Sequence, residues 1–162
     1  ENWNKYLLYK ESEKTDRSTN GSVFESLICV LLYRENLFPL FTQVQVAFVP
    51  NAIFDILLYN DKNRIVSLSL KTTLRERWKQ ADLEALALKN VHRNSRSFLI
   101  TLSKNETNSI KNKIQSGSVL GLNDVVLANS VQFDSLIEDL KQNQYIKPGT
   151  VNILQNFIEI NS

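Results

Sequence analysis

The spacing of apolar and polar positions divides the chain into helices and strands joined by short polar turns. Apolar residues that recur every three or four positions predict helices at 22–35, 75–91, 106–115 and 132–142. Alternating or continuous short apolar runs predict strands at 43–49, 52–59, 64–71, 97–102 and 123–128. This order of helices and strands predicts an α/β fold in which helices flank a central mixed sheet.

The two ends of the chain carry weaker patterns. Residues 2–11 are typical of a short helix or arm, and the polar stretch 12–21 is expected to be a loop that ends where Ser22 caps the first helix. After Pro148 and Gly149, residues 151–160 form a last amphipathic segment. We therefore expect a single domain over residues 1–162 with an N-terminal arm at about 1–20.

Composition indicates an ordinary globular protein, with 43% hydrophobic and 22% charged residues and a net charge of +2. That net charge does not by itself indicate a nucleic-acid partner. The basic residues are nevertheless concentrated between positions 71 and 96, which predicts a local cationic surface. They are Lys71, Arg75, Arg77, Lys79, Lys89, Arg93 and Arg96.

Cysteine content and hydropathy indicate the redox compartment of the protein and whether it spans a membrane. Cys29 is the single cysteine, so an internal disulfide is excluded and a reducing compartment is favoured. It lies within an apolar run and is expected to be a small buried core residue. No apolar run approaches the roughly 18 residues of a membrane helix, so we expect no membrane partner.

The candidate chemistry begins with Asp55, a lone charge inside the apolar segment 52–59. A buried carboxylate without a partner costs several kcal/mol, so this position requires a cation, hydrogen bonds or exposure at a strand end. In the alternative interpretation, Asp55 has only a structural role, at a bulge in the strand or in a simple ion pair with a lysine. Lys71 ends the next predicted strand, and a tight turn between the two strands would place its ammonium beside Asp55.

Glu84 supplies a second carboxylate on the helix that follows Lys71. Mg²⁺ is commonly bound by one or two carboxylates together with phosphate and water. Asp55 and Glu84 are therefore predicted to bind Mg²⁺, and Lys71 to polarise a water and offset charge on a phosphate.

Arg75, Glu76 and Arg77 are predicted to begin that helix. Arginine is the best bidentate partner of guanine in the major groove, and glutamate accepts a hydrogen bond from cytosine. The triplet is therefore a candidate for reading DNA bases, although a solvated charge cluster is the alternative. Lys79 and Gln80 are weaker candidates for contacts with the DNA backbone.

Asp55, the segment Ser69-Leu70-Lys71 and Glu84 together resemble the PD-(D/E)xK nuclease superfamily. In the branch similar to EcoRII and NgoMIV, the acid two residues before the lysine is moved to the following helix, as Ser69 and Glu84 suggest here. Glu25 resembles the additional catalytic-site acid on the first helix of that branch. The literal proline–aspartate pair is absent, because four residues separate Pro50 from Asp55.

The resemblance implies a restriction-endonuclease-like core and a type II restriction endonuclease that is Mg²⁺-dependent. Such an enzyme would cleave double-stranded DNA at a site with CC/GG half-sites, act as a homodimer, and reside in a bacterial or archaeal cytoplasm. The chain could equally be the catalytic domain of a longer enzyme. Two alternatives stay open: a structure-specific repair or junction-resolving nuclease on the same core, and a catalytically inactive DNA-binding module, since Ser69 replaces the usual acid.

Overall fold

A mixed seven-stranded sheet forms the centre of the molecule. The computed structural model describes residues 4–6, 17–149 and 153–161. The strands are β1 (Leu40–Val46), β2 (Phe54–Tyr59), β3 (Ile65–Lys71), β4 (Arg96–Thr101), β5 (Asp124–Leu127), β6 (Leu154–Gln155) and β7 (Ile158–Ile160). Their order is β5-β4-β3-β2-β1-β6, and β7 also pairs with β1. The α/β prediction with a mixed central sheet is confirmed.

Strand direction divides this sheet into two parts. Neighbouring strands from β1 to β3 are antiparallel, whereas β4 runs parallel to β3 and β5 runs parallel to β4. The strands β3, β4 and β5 consequently finish at the same end of the sheet. Because β2 is antiparallel to β3, it begins at the end where β3 finishes, and the turn that joins β1 to β2 therefore lies there as well. We call it the site end of the sheet.

Four helices cover the two faces of the sheet. They are α1 (Arg17–Arg34), α2 (Arg77–Val91), α3 (Lys104–Gln115) and α4 (Val131–Leu140). Apolar side chains of α1 and α4, including Phe24 and Phe133, pack with Leu68 and Ile100 of the sheet in one cluster. Ala85 of α2 and Ile110 of α3 belong to a separate cluster with Leu99 and Val125. Side chains alternate between the faces of a strand, so these two clusters lie on opposite faces of the sheet.

Three local predictions are wrong. The first helix begins at Arg17 rather than at residue 22, so Ser22 lies inside the helix and does not cap it. The helix that follows Lys71 begins at Arg77, not at Arg75. The strand predicted at 43–49 is β1 at Leu40–Val46, so residues 47–49 lie in the turn that follows it. For the segment 151–160 the sequence predicts only amphipathic character, and its described part from residue 153 contains the short strands β6 and β7.

Cys29 is buried, as predicted. Of the predicted N-terminal arm, residues 4–6 are helical and Tyr6 donates a hydrogen bond to Asn20, while residues 1–3 and 7–16 lie outside the described residues. Within the described ranges, no helix has the length and apolar character needed to cross a membrane.

Candidate active site

Asp55 and Lys71 meet where the β2–β3 pairing stops. The ladder between these strands extends from Tyr59 and Ile65 to Ile56 and Leu68. Asp55 lies directly beyond its final pair, and Lys71 lies three residues beyond it. There the Asp55 Oδ2 accepts a hydrogen bond of 2.6 Å from the backbone N–H of Leu70 and one of 3.0 Å from Lys71 Nζ.

These contacts explain how an acid is tolerated within an apolar strand. The Asp55 and Lys71 side chains are only 14% and 16% exposed, and each compensates the charge of the other. The Asp55 carboxylate also satisfies a strand N–H that would otherwise need a ladder partner. Ser69, which occupies the position of the usual acid, lies with its hydroxyl at 3.5 Å from the same carboxylate oxygen.

Glu84 extends from α2 towards this ion pair. Its side chain is half-buried, and burial raises the pKa of its carboxyl group above the ordinary value. A 2.8 Å hydrogen bond from the Gln80 amide and the charge of Lys71 lower that pKa, whereas the charge of Asp55 raises it. Glu84 is therefore within electrostatic range of Asp55 and Lys71, and its side-chain hydrogen bond is to Gln80 rather than to either of them.

Glu25 approaches the same pair from α1. Burial raises the pKa of Glu25, and the negative charge of Asp55 raises it further, while Lys71 and a hydrogen bond from Gln43 act in the opposite direction. Gln43 Nε2 donates that bond over 3.1 Å, from a backbone with φ of +51°. Gln43 was not predicted, because the alternation of its strand gives no sign that its amide would reach a residue on a helix.

The position of α2, and hence of Glu84, depends on a contact that was also not predicted. Asp82 Oδ1 accepts hydrogen bonds from the backbone N–H groups of Gly121, at 2.7 Å, and Leu122, at 3.1 Å. A Cβ atom on Gly121 would lie 2.2 Å from the Asp82 carbonyl oxygen and 2.5 Å from the Leu86 nitrogen. Only glycine allows the loop before β5 to pack this closely against the helix.

The candidate base-reading triplet lies before and at the start of α2. Arg75 and Glu76 precede the helix, and Arg75 has a left-handed backbone with φ of +38°. The later helix start has a physical cause, since positive side chains oppose the macrodipole at a helix N-terminus and Glu76 makes no side-chain capping bond. All three side chains of the triplet are exposed.

The two arginines of the triplet differ from the polar residues around them, which have partners within the protein. Glu76 forms an ion pair with Lys79, whereas the described residues provide no hydrogen bond or ion pair to the guanidinium groups of Arg75 and Arg77. Lys79 also lies 5.8 Å from the Trp78 ring centre, and Gln80 is bonded to Glu84. The two arginines are therefore free to bind an acceptor outside the chain.

The predicted cationic cluster does not form one continuous surface. Arg96 begins β4, so it lies at the opposite end of the sheet from Lys71. It forms an ion pair of 2.7 Å with Asp139 and lies over the Phe98 ring. Lys89 donates a hydrogen bond to the backbone carbonyl of Leu120. Only the part of the cluster from Lys71 to Lys79 is adjacent to the site.

Asp55 and Glu84 are the kind of ligand that Mg²⁺ binds, but two carboxylates would fill only part of its coordination shell. Among the described residues, no three or more His, Cys, Asp or Glu side chains are grouped closely enough to enclose a metal ion. Mg²⁺ seldom requires such a cage, because phosphate oxygens and waters commonly complete its octahedral shell. Asp55 and Glu84 would supply two carboxylates, and burial, the main cause of the raised pKa of Glu84, disfavours its charged form unless a cation lies nearby.

Comparison with known proteins adds no relative: no protein-family model, no curated protein sequence and no solved structure matches the chain.

Proposed function

We propose that this protein is a Mg²⁺-dependent endonuclease that hydrolyses phosphodiester bonds in double-stranded DNA. The observation that supports this most directly is the arrangement around Asp55. Its carboxylate is held by the Leu70 N–H and by Lys71 Nζ at a sheet end, and Glu84 lies within electrostatic range of both. The order of an acid on a strand, a lysine on the next strand and an acid on the following helix is the order that the resemblance implies.

The balance of charge distinguishes this arrangement from a simple structural ion pair. One lysine and one aspartate would satisfy each other. Here Lys71 interacts with the carboxylates of Asp55, Glu84 and Glu25, and burial raises the pKa of the last two. Acids with shifted pKa values around one lysine are typical of catalytic sites, where a bound cation and the substrate neutralise the remaining charge.

Each residue has a definite role in this proposal. Asp55 and Glu84 would hold Mg²⁺, which when bound would supply charge stabilisation to the phosphate and lower the pKa of a water. Lys71 orients the attacking water and stabilises the negative charge that accumulates on the phosphate oxygens. The water oxygen bonds to phosphorus as the bond to O3′ breaks. The water releases a proton to solvent and O3′ takes one up from solvent, which leaves a 5′-phosphate and a 3′-hydroxyl. Glu25, held by Gln43, orients the water or Lys71 without binding the metal.

The recognition chemistry belongs to the turn before α2. In the proposal, Arg75 and Arg77 each bind guanine, and Glu76 accepts from cytosine after leaving Lys79, so that the triplet reads a CC/GG half-site. Lys79 then contacts phosphate, as does Gln80 if it leaves Glu84. Cleavage of both strands of a palindromic site requires two active sites related by two-fold symmetry, which favours a homodimer and the type II restriction class.

Two alternatives predict different results. A repair or junction-resolving nuclease on the same core would read DNA shape, so it would cut junctions of unrelated sequence. An inactive DNA-binding module would bind specific sites without Mg²⁺-stimulated cleavage. Two features favour the inactive module. Ser69 makes only a long contact of 3.5 Å with Asp55, and the Glu84 carboxylate already accepts a hydrogen bond from Gln80.

The Lys71→Ala variant tests the proposal. We expect it to abolish Mg²⁺-dependent cleavage and to leave DNA affinity within about tenfold of wild type, since Lys71 acts on the reacting phosphate rather than on base edges. The matched control is Lys62→Ala, because Lys62 lies in the exposed β2–β3 turn at the other end of the hairpin. Unchanged cleavage by Lys71→Ala would contradict the proposal.

A further inference from the structure

The turn between β1 and β2 exposes an aromatic side chain, that of Phe48, on a backbone conformation that is rare for such a residue. Phe48 is 89% exposed, more than any other large hydrophobic residue that the structure describes as exposed. Its backbone also has φ of +65°, in the left-handed region that bulky residues rarely adopt. Both features oppose folding, because they leave apolar surface in water and hold the backbone in a sparsely populated conformation. Such a combination indicates selection for something other than stability.

The location of this turn relates it to the proposed active site. It joins the end of β1 to the start of β2, and Asp55 is the second residue of β2. The turn therefore lies at the site end of the sheet, the end at which β3 finishes at Lys71. DNA with a phosphate at Asp55 and Lys71 would approach the end of the sheet that also carries Phe48.

The charge of the turn is compatible with that approach. Residues 36–54 contain no Asp, Glu, Lys or Arg, so the turn carries no carboxylate that would repel a phosphate backbone. It also carries no cation that could bind one. A second exposed apolar residue, Ile53, lies in the same turn and is 51% exposed. The exposed side chains of the turn are thus uncharged and mainly apolar, with Asn51 as the polar exception. The apolar part of DNA is its stacked bases.

We infer that Phe48 inserts into the DNA base stack next to the cleaved phosphate, where its ring stacks on a base. This inference rests on the proposed function and adds a contact to it. Aromatic rings stack on bases without needing a particular sequence, and apolar wedges of this type unstack and bend a duplex. Phe48 would therefore position the DNA for cleavage, whereas Arg75 and Arg77 would read its sequence.

The variants Phe48→Ala and Phe48→Trp test the inference, with Leu120→Ala as the control. Leu120 is 61% exposed but lies in the loop before β5, at the opposite end of the sheet. Binding is measured with Ca²⁺ in place of Mg²⁺, on a duplex of the cleaved sequence that carries 2-aminopurine beside the cut phosphate. We expect Phe48→Ala to weaken binding by about 5- to 150-fold and to lose the fluorescence increase that unstacking produces. Phe48→Trp and Leu120→Ala should retain both.

The possible outcomes separate this inference from the proposed function. If wild type cleaves DNA and Phe48→Ala binds, unstacks and cleaves like wild type, the inference is overturned while the nuclease assignment stands. If Phe48→Ala retains DNA binding but changes the oligomeric state, the turn is a contact between copies of the chain and the inference is again overturned. If neither wild type nor Lys71→Ala binds DNA, both proposals fail together.

Discussion

At the scale of single residues, the site combines one contact that the sequence predicts with several that it does not. Asp55 and Lys71 could be paired from the sequence, because a tight turn joins their strands and restricts how these strands can align. The bond from Gln43 to Glu25 could not, since it joins a strand to a helix across eighteen positions. Glu84 was identified as an acid on the helix after Lys71, and Glu25 through the family resemblance. Their electrostatic interaction with the pair is a property of the folded structure.

The raised pKa of Glu84 gives a prediction for stability. A carboxyl group whose pKa is higher in the folded than in the unfolded state binds protons more strongly in the fold. Its contribution to the free energy of unfolding is therefore greatest at low pH and falls as pH rises from the ordinary value of 4.5 through the raised value. We expect Glu84→Gln to increase the free energy of unfolding at pH 7 and to abolish cleavage.

Urea denaturation at pH 7 and pH 4 measures this effect, and Asp61→Asn in the exposed β2–β3 turn is the control. The gain for Glu84→Gln should shrink at pH 4, where wild-type Glu84 is largely protonated. A loss of stability at pH 7 would show that ionised Glu84 stabilises the fold, contrary to its raised pKa.

A second residue-scale prediction concerns base reading. Arg75→Ala or Arg77→Ala is expected to cost about 1–3 kcal/mol in discrimination at one base-pair position, the typical value of a bidentate contact. Neither guanidinium has a hydrogen bond or ion pair with other described residues, so the fold should tolerate both changes. Selection from a randomised duplex library measures the effect position by position. An equal loss of affinity for every sequence would show that the arginines contact only phosphates.

At the scale of secondary-structure elements, the sequence predicted the kind of element better than its boundaries. Helix α1 extends five residues further towards the N-terminus than predicted, because the polar residues from Arg17 onwards carry no apolar periodicity yet continue the helix. Helix α2 begins two residues late, where arginines disfavour its first turn. The short strands β6 and β7 form through pairing with β1, and a two- or three-residue strand has too few residues to show alternation.

The orientation of α2 is the element-scale feature that matters most for function, and Gly121 controls it. Any Cβ at this position would overlap the backbone of α2. We expect Gly121→Ala to reduce the free energy of unfolding by about 1–3 kcal/mol, the usual range for overpacking, and to reduce cleavage by displacing Glu84. Thermal denaturation and a cleavage assay measure the two effects. The control is Gly117→Ala in the α3–β5 loop, where nothing lies within 4 Å of the added Cβ, so any loss there reflects only its positive φ.

A Gly121→Ala protein with wild-type stability and activity would show that the loop can move away from α2 without consequence. The glycine could not have been identified from the sequence, since its requirement comes from contact with residues about forty positions earlier.

At the scale of the whole molecule, the sequence predicted the class of fold, whereas the location of the chemistry stays a prediction. The order of elements was sufficient to predict a mixed sheet between helices. The position of β1 between β2 and the strands β6 and β7 was not predictable, because it depends on pairing between distant parts of the chain. The sheet brings Asp55, Lys71 and the turn that carries Phe48 to one end, and Glu84 on α2 lies within electrostatic range of the first two. Both proposals rest on this arrangement.

The most direct test of the central claim is to incubate the protein with phage DNA and Mg²⁺ and to sequence the ends of the fragments. We predict double-strand cuts at a fixed sequence containing CC/GG half-sites, with 5′-phosphate and 3′-hydroxyl ends, and no cuts by Lys71→Ala. Intact DNA after incubation with folded wild-type protein, or equal cutting by Lys71→Ala, would contradict the assignment of Asp55, Lys71 and Glu84 as a nuclease site.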